Sequence, residues 1–135
     1  MKKITTFLLA LVPVGLCARP IDSFTVNHSL DSAYVRVEDD SIIAGTGAVE
    51  RQWKWRGDGL VTTGLKSSVS DREWAFANST HSADWNYKGY TTGANAKLIS
   101  LSAETSTDEG FTGKHIELVA EVAYDQVTVK YIVWV

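Results

Sequence analysis

"VERQWKWRGDGLVTTGLKSSVSDREW", residues 49–74, decides how the chain is read. Its first seven residues alternate in an extended backbone: Val49, Arg51, Trp53 and Trp55 fall on one side, Glu50, Gln52 and Lys54 on the other, because successive side chains of a strand point to opposite faces. Gly57-Asp58-Gly59 interrupts the pattern, and a second extended run follows over 60–65. A single hairpin explains all of this, since glycines supply the positive φ that tight hairpin turns require. Trp53 and Trp55, alternating on one face, are expected in a core. Arg56-Gly57-Asp58 spells an integrin tripeptide, but the flanking strands demand a turn there and explain both glycines without a partner.

The period of two recurs along the chain. Residues 33–38 carry Tyr34, Val35 and Val37, and 42–44 form a second fragment. Residues 97–104 bring Leu98 and Ile99, then Leu101 and Ala103. A polar loop is expected over 105–114. In 115–123, Ile116, Leu118, Ala120 and Val122 share a face, and in 127–135 Val127, Val129, Tyr131, Val133 and Val135 do. No stretch after residue 18 has a helical stripe. The expected fold is all-β, an antiparallel β-sandwich.

The first residues read differently. Met1-Lys2-Lys3 is a basic start, 4–16 is nearly all apolar, and the small residues Gly15 and Ala18 follow. This is the layout of a secretory signal peptide over 1–18, too short to cross a hydrocarbon core of about 30 Å. A lipid-anchored Cys17 is the other reading. The expected plan is signal 1–18, N-terminal linker 19–32 and β-sandwich 33–135, in a protein that is secreted or held in the periplasm or cell envelope and leaves the membrane on cleavage. Cys17 is the chain's single cysteine, so the mature domain relies on burial rather than disulfides. Without Lys2 and Lys3, eleven basic residues face sixteen acidic ones. That balance argues against nucleic acid and against anionic membrane surfaces.

Motifs for chemistry are sparse. His28, His81 and His115 are dispersed, whereas zinc ligands cluster at short spacings. Asp39-Asp40 and Asp108-Glu109 are acidic doublets without the spacing of a calcium loop. There is no nucleophile elbow and no phosphate-cradling glycine loop. No catalytic residue, metal ligand or cofactor is expected. Asn27-His28-Ser29 and Asn78-Ser79-Thr80 are glycosylation sequons. The positive signal is Trp85-Asn86-Tyr87-Lys88-Gly89-Tyr90. Aromatic rings beside polar groups suit sugar faces. Asp84, Trp85, Asn86, Tyr87 and Tyr90 are therefore the candidate carbohydrate-binding residues; the alternative places Trp85 and Tyr87 as plugs of the sheet edge or core.

The hairpin stretch resembles the opening of the galactose-mutarotase-like β-supersandwich that precedes the catalytic barrel in α-galactosidases of the melibiase-like group. Such modules carry a phrase of the kind I-x-R-x-W-x-W-x-x-G-x-L, matched here by residues 49–55 with Gly59-Leu60, and then L-x-x-x-x-[ST]-x-[RK]-x-W, matched by 65–70 with Arg72 and Trp74. The closing "HIELVAEVAYDQVTVKYIVWV" is similar to the module's later strands. The resemblance implies an incomplete supersandwich with a packing or carbohydrate-binding role. It places catalysis in a barrel domain missing from this chain, so no catalytic residue carries over. The uncapped Ile132-Val133-Trp134-Val135 end reads either as a buried last strand or as a frame that stops inside a larger protein; the hazard of a free apolar edge favours the second. Two further expectations stand beside the glycosidase module: a free-standing carbohydrate-binding module, and a structural or adhesion protein of the envelope that pairs with another chain through its final strand.

Overall fold

The computed structural model describes residues 20–74, 83, 84, 90, 95–108 and 113–135. Its strands are β1 (Asn27–Leu30), β2 (Ala33–Glu38), β3 (Ser41–Gly45), β4 (Val49–Trp55), β5 (Leu60–Ser67), β6 (Arg72–Glu73), β7 (Lys97–Asp108), β8 (Gly113–Ala123) and β9 (Thr128–Trp134), preceded by a 3-10 turn at Ile21–Ser23. β1 to β6 form one antiparallel meander, sheet A. β7 to β9 form a second, sheet B. The two pack face to face, so the all-β sandwich read from the alternation is the fold.

The hairpin at residues 49–67 forms as the pattern predicts. Trp53 is buried and Trp55 half-buried against the core. The register shifts between Gln52 and Trp53, because β5 accommodates Thr63 as an extra residue, a β-bulge. A second bulge in β7, between Leu98 and Ser100, lets Leu98 and Leu101 both face inward although they are three apart. Strict alternation would have put one of them outside.

The core joins Val35, Ile42, Ala44, Trp53 and Leu60 of sheet A to Leu98, Leu101, Ile116, Leu118, Ala120 and Val122 of sheet B. Val129, Tyr131, Val133 and Val135 pack against it from the edge strand β9. The segment expected as a linker over 19–32 is instead part of the sandwich. Ile21 and Val26 are buried in the core, and residues 27–30 pair with β2. The loop expected over 105–114 is shorter, because β7 runs on to Asp108 and β8 begins at Gly113.

Asp39-Asp40 is the two-residue link between β2 and β3. Asp39 sits at φ 50, a left-handed conformation that aspartate tolerates better than most residues. Asp40 pairs with Lys54 at 2.9 Å. The doublet is thus a turn. Among the described residues, no group of three or more His, Cys, Asp or Glu is placed to hold a metal ion. No helix among them is long and apolar enough to cross a membrane.

Candidate functional site

Three places in the sandwich carry polar or aromatic groups beyond what the core needs. The first is Asp84, a predicted sugar ligand. Its backbone N–H donates to the Leu60 carbonyl at 2.8 Å. Its carboxylate accepts from the Thr62 N–H at 2.9 Å, from the Thr62 hydroxyl, and from Arg51 Nη2 at 2.8 Å. Arg51 also donates to Thr62 Oγ1 at 3.0 Å through Nε and lies over the Trp53 ring at 4.7 Å. A carboxylate accepting three bonds from its own chain serves as a pin that holds 83–84 along the outer edge of β5. Of the other predicted sugar ligands, Tyr90 is exposed at 44%; Trp85, Asn86 and Tyr87 lie outside the described residues, as does His81.

The second place is the Gly57-Asp58-Gly59 turn. It does not project freely. Arg56 donates its N–H to the Gly59 carbonyl at 3.0 Å, and the Tyr124 hydroxyl donates to the Asp58 carbonyl at 3.2 Å. The Tyr131 hydroxyl lies 3.4 Å from that of Tyr124. Burial, then the Tyr124 hydroxyl and the charges of Asp84 and Asp58, push the Tyr131 phenol above its ordinary range, so it stays a neutral hydrogen-bonding group at physiological pH. The hairpin tip is therefore a clamp between the two sheets.

The third place is the edge strand β9. Just past the end of β9, Val135 exchanges both backbone bonds with Ile116 at 3.0 Å. Antiparallel alternation then directs the backbone groups of Val129, Tyr131 and Val133 to β8, and those of Thr128, Lys130, Ile132 and Trp134 to the other side, where no described strand pairs with them. The same residues carry the exposed outer-face side chains, Ile132 at 52% and Trp134 at 48%. Behind Trp134 sits the buried His115 ring, centroids 4.8 Å apart, with its Nδ1–H donating to the Gly113 carbonyl at 3.0 Å. Sheet A exposes Val49 and Trp74, with the Arg72 guanidinium 5.2 Å over the Trp74 ring. Beside them lies a shallow cleft of about 330 Å³ lined by Lys66, Ser67, Ser68, Asp71, Arg72 and Glu73. The apolar character of the final strand was legible in the sequence; its exposure was one of the rival expectations. The exposed Trp74 was not, because alternation says which residues share a face and not how far the opposing sheet extends.

The outer face of sheet A carries a charged network of another kind. Tyr34 donates to the Glu50 carboxylate, Lys66 pairs with it at 2.8 Å, and Arg36 approaches at 3.7 Å. Burial acts to raise the Glu50 carboxyl, but the hydrogen bonds from Lys66 and Tyr34 and the charges of Lys66 and Arg36 outweigh it and hold it below the usual glutamate value. A depressed carboxyl stabilises the fold above its unfolded pKa, about 4.3. That contribution is lost as pH falls through the folded value. Glu50→Gln is expected to cost about 1 kcal/mol at pH 7 and to flatten the loss of stability below about pH 5. Urea titrations at several pH values measure both; an unchanged acid limb would remove Glu50 from the account.

In these places the Thr62 hydroxyl donates to an Asp84 carboxylate already tied to Arg51, and among the described residues no ligands gather for an ion. No protein-family model matches the chain, and no curated protein or solved structure does either.

Proposed function

We propose that this protein is a non-catalytic β-sandwich, exported by the leader pattern at its N-terminus, that works by associating with another polypeptide chain at the β9 side. The observation that carries this reading is the conjunction on β9: backbone donors and acceptors that no described strand takes up, on the same residues, Ile132 and Trp134, that expose large apolar side chains. Edge strands of this kind invite pairing, and exposed Trp beside aliphatic residues is the composition of interface cores. The packing role implied by the resemblance to the melibiase-like modules is of the same class and adds a catalytic barrel as a candidate neighbour. Sugar binding is the rival reading, favoured by the exposure of Tyr90 and weakened by the commitment of Asp84 to Arg51 and Thr62.

The test is the mass of the native assembly isolated without denaturant. Wild type is expected to sediment as a complex. Trp134→Glu, a surface change that leaves the β8 ladder intact, is expected to release the folded chain as a monomer. A wild-type protein that is monomeric in its native setting, and that binds glycans in a manner lost in Tyr90→Ala, would replace association with the sugar reading.

A further inference from the structure

We infer that the chain received at β9 is an extended basic segment, whose arginine side chain seats on a row formed by Trp134, Glu117 and Glu104. The inference rests on the association reading above and names the chemistry of the partner.

The row follows from register. Glu117 of β8 stands opposite Glu104 of β7 on one side and opposite Trp134 of β9 on the other. Glu117 points to the outer face of sheet B, since its neighbours Ile116 and Leu118 are buried in the core, and its partners across the ladder share that face. Val135 and Ile116 exchange both backbone bonds, so Trp134 and Glu117 form a non-hydrogen-bonded pair, the kind in which side chains lie closest. The next row holds Ser102, Val119 and Ile132, and the one after it Ser100, Glu121 and Lys130.

The three rows differ in how well their charges are answered. In the third, Ser100 donates to Glu121 at 2.9 Å and Lys130 pairs with it at 3.3 Å. In the second, Val119 is half-buried and Ile132 exposed, an apolar strip. In the first, two carboxylates face each other directly, a like-charge pair that costs stability unless neutralised. Among the described residues neither Glu104 nor Glu117 forms an ion pair.

A guanidinium supplies what the first row lacks. The face of an indole attracts a cation, and the carboxylates beyond it attract the same charge and accept from a guanidinium fork. Trp134 is 48% exposed, and the buried His115 ring backs it at 4.8 Å, which leaves less motion to freeze on binding. A neutral sugar would stack on the same ring but would leave the carboxylates opposed. The backbone groups of Ile132 and Trp134 face away from β8 and meet no described strand. An extended segment laid along β9 would therefore continue each row by one residue. The residue beside Trp134 then lies two strand spacings, about 9.6 Å, from Glu117, and an arginine crosses that span by lying over the indole. The residue beside Ile132 meets the apolar strip. The partner thus carries an arginine and an aliphatic residue two positions apart, whichever way it runs.

Titration of the purified chain with two capped peptides tests this: Thr-Thr-Arg-Thr-Val-Thr-Thr, and the same peptide with glutamine for arginine. The Trp134 indole N–H resonance reports binding at β9. The arginine peptide is expected to bind more tightly by about tenfold or more, and its advantage to shrink as salt rises. Glu117→Gln is expected to remove most of that advantage. Glu117→Arg is expected to favour a peptide with glutamate at the same position, a gain that a misfolded variant cannot show. Equal binding of the arginine and glutamine peptides overturns the basic partner and leaves association at β9 standing. So does failure of both peptides to bind while Trp134→Glu still releases the native assembly. If no peptide binds and the native protein is a monomer, both readings fail. Glycan binding that is lost in Trp134→Glu, without any preference for arginine, would make the row a sugar platform instead.

Discussion

Gly59→Ala is expected to cost about 3 kcal/mol and to lower the urea midpoint by more than 1 M, taking a typical slope for a domain this size. Two costs combine. Gly59 sits at φ 147, a conformation that a residue with a Cβ adopts only under strain of about 1–3 kcal/mol. The new methyl would also lie 2.6 Å from the Ala83 Cβ and 3.1 Å from the Tyr124 hydroxyl. Neither neighbour gives way easily. Ala83 has no torsion with which to move its methyl, and the next residue is tied to Leu60 and Thr62. The Tyr124 hydroxyl is held on the Asp58 carbonyl. Overpacking of such a site costs a further 1–3 kcal/mol.

Gly57 supplies the control. It lies in the same turn at φ 87, with nothing within 4 Å of an added Cβ. Gly57→Ala therefore keeps only the backbone cost, about 1 kcal/mol. Urea denaturation of the two variants in parallel separates conformational strain from docking. Equal losses would mean that the turn does not dock against Ala83 and Tyr124 and that its glycines serve the hairpin alone.

That contrast marks how far the sequence could be read. The hairpin, its turn and the inward set Trp53, Leu118, Ala120 and Val122 were legible, because each follows from a period of two and a glycine turn, both local properties. The bulges at Thr63 and Ile99 were not: they depend on which residue of the facing strand pairs, and that is set across the sheet. The docking of the turn on Tyr124 joins residues 66 apart, and no local pattern encodes it. β1 was read as linker because Asn27-His28-Ser29-Leu30 has one aliphatic residue; tertiary pairing with β2, rather than propensity, makes it a strand. At the candidate site, Asp84 was picked for its chemistry, and the same chemistry binds it to Arg51 and Thr62. The apolar end of the final strand was singled out, read either as a buried last strand or as a frame that runs on into a larger protein, and Ile132 and Trp134 are exposed there. What faces them depends on the relative widths of the two sheets, and hence on the pairing of the whole chain.

The width mismatch also says where stability must come from, and Ile116→Ala tests it. Sheet B has one interior strand, β8, and Ile116 faces inward from it with 0% exposure. On either side stand Thr105 and Val135, and Val35, Ile42 and Trp53 of sheet A belong to the same core. Removing its outer methyl and methylene groups forfeits their transfer free energy and leaves a cavity that two hydrogen-bonded neighbours cannot collapse into. The expected loss is about 3–4 kcal/mol, a large share of the 5–15 kcal/mol that holds a typical domain together. No intrachain disulfide offsets it, since the chain has one cysteine. Ile132→Ala removes the same atoms from the same sheet at an exposed position and is expected to cost the isolated chain under about 0.5 kcal/mol. In the association proposed at β9, Ile132, 52% exposed, lies in the interface. Its truncation should then lower the melting temperature at high protein concentration and leave it unchanged at low concentration, because association stabilises by mass action. Ile116→Ala should lower it equally at both. Thermal denaturation across a hundredfold range of concentration separates a residue that builds the sandwich from one that joins it to another chain. A concentration-independent loss in Ile132→Ala would place that side chain in the fold rather than the interface.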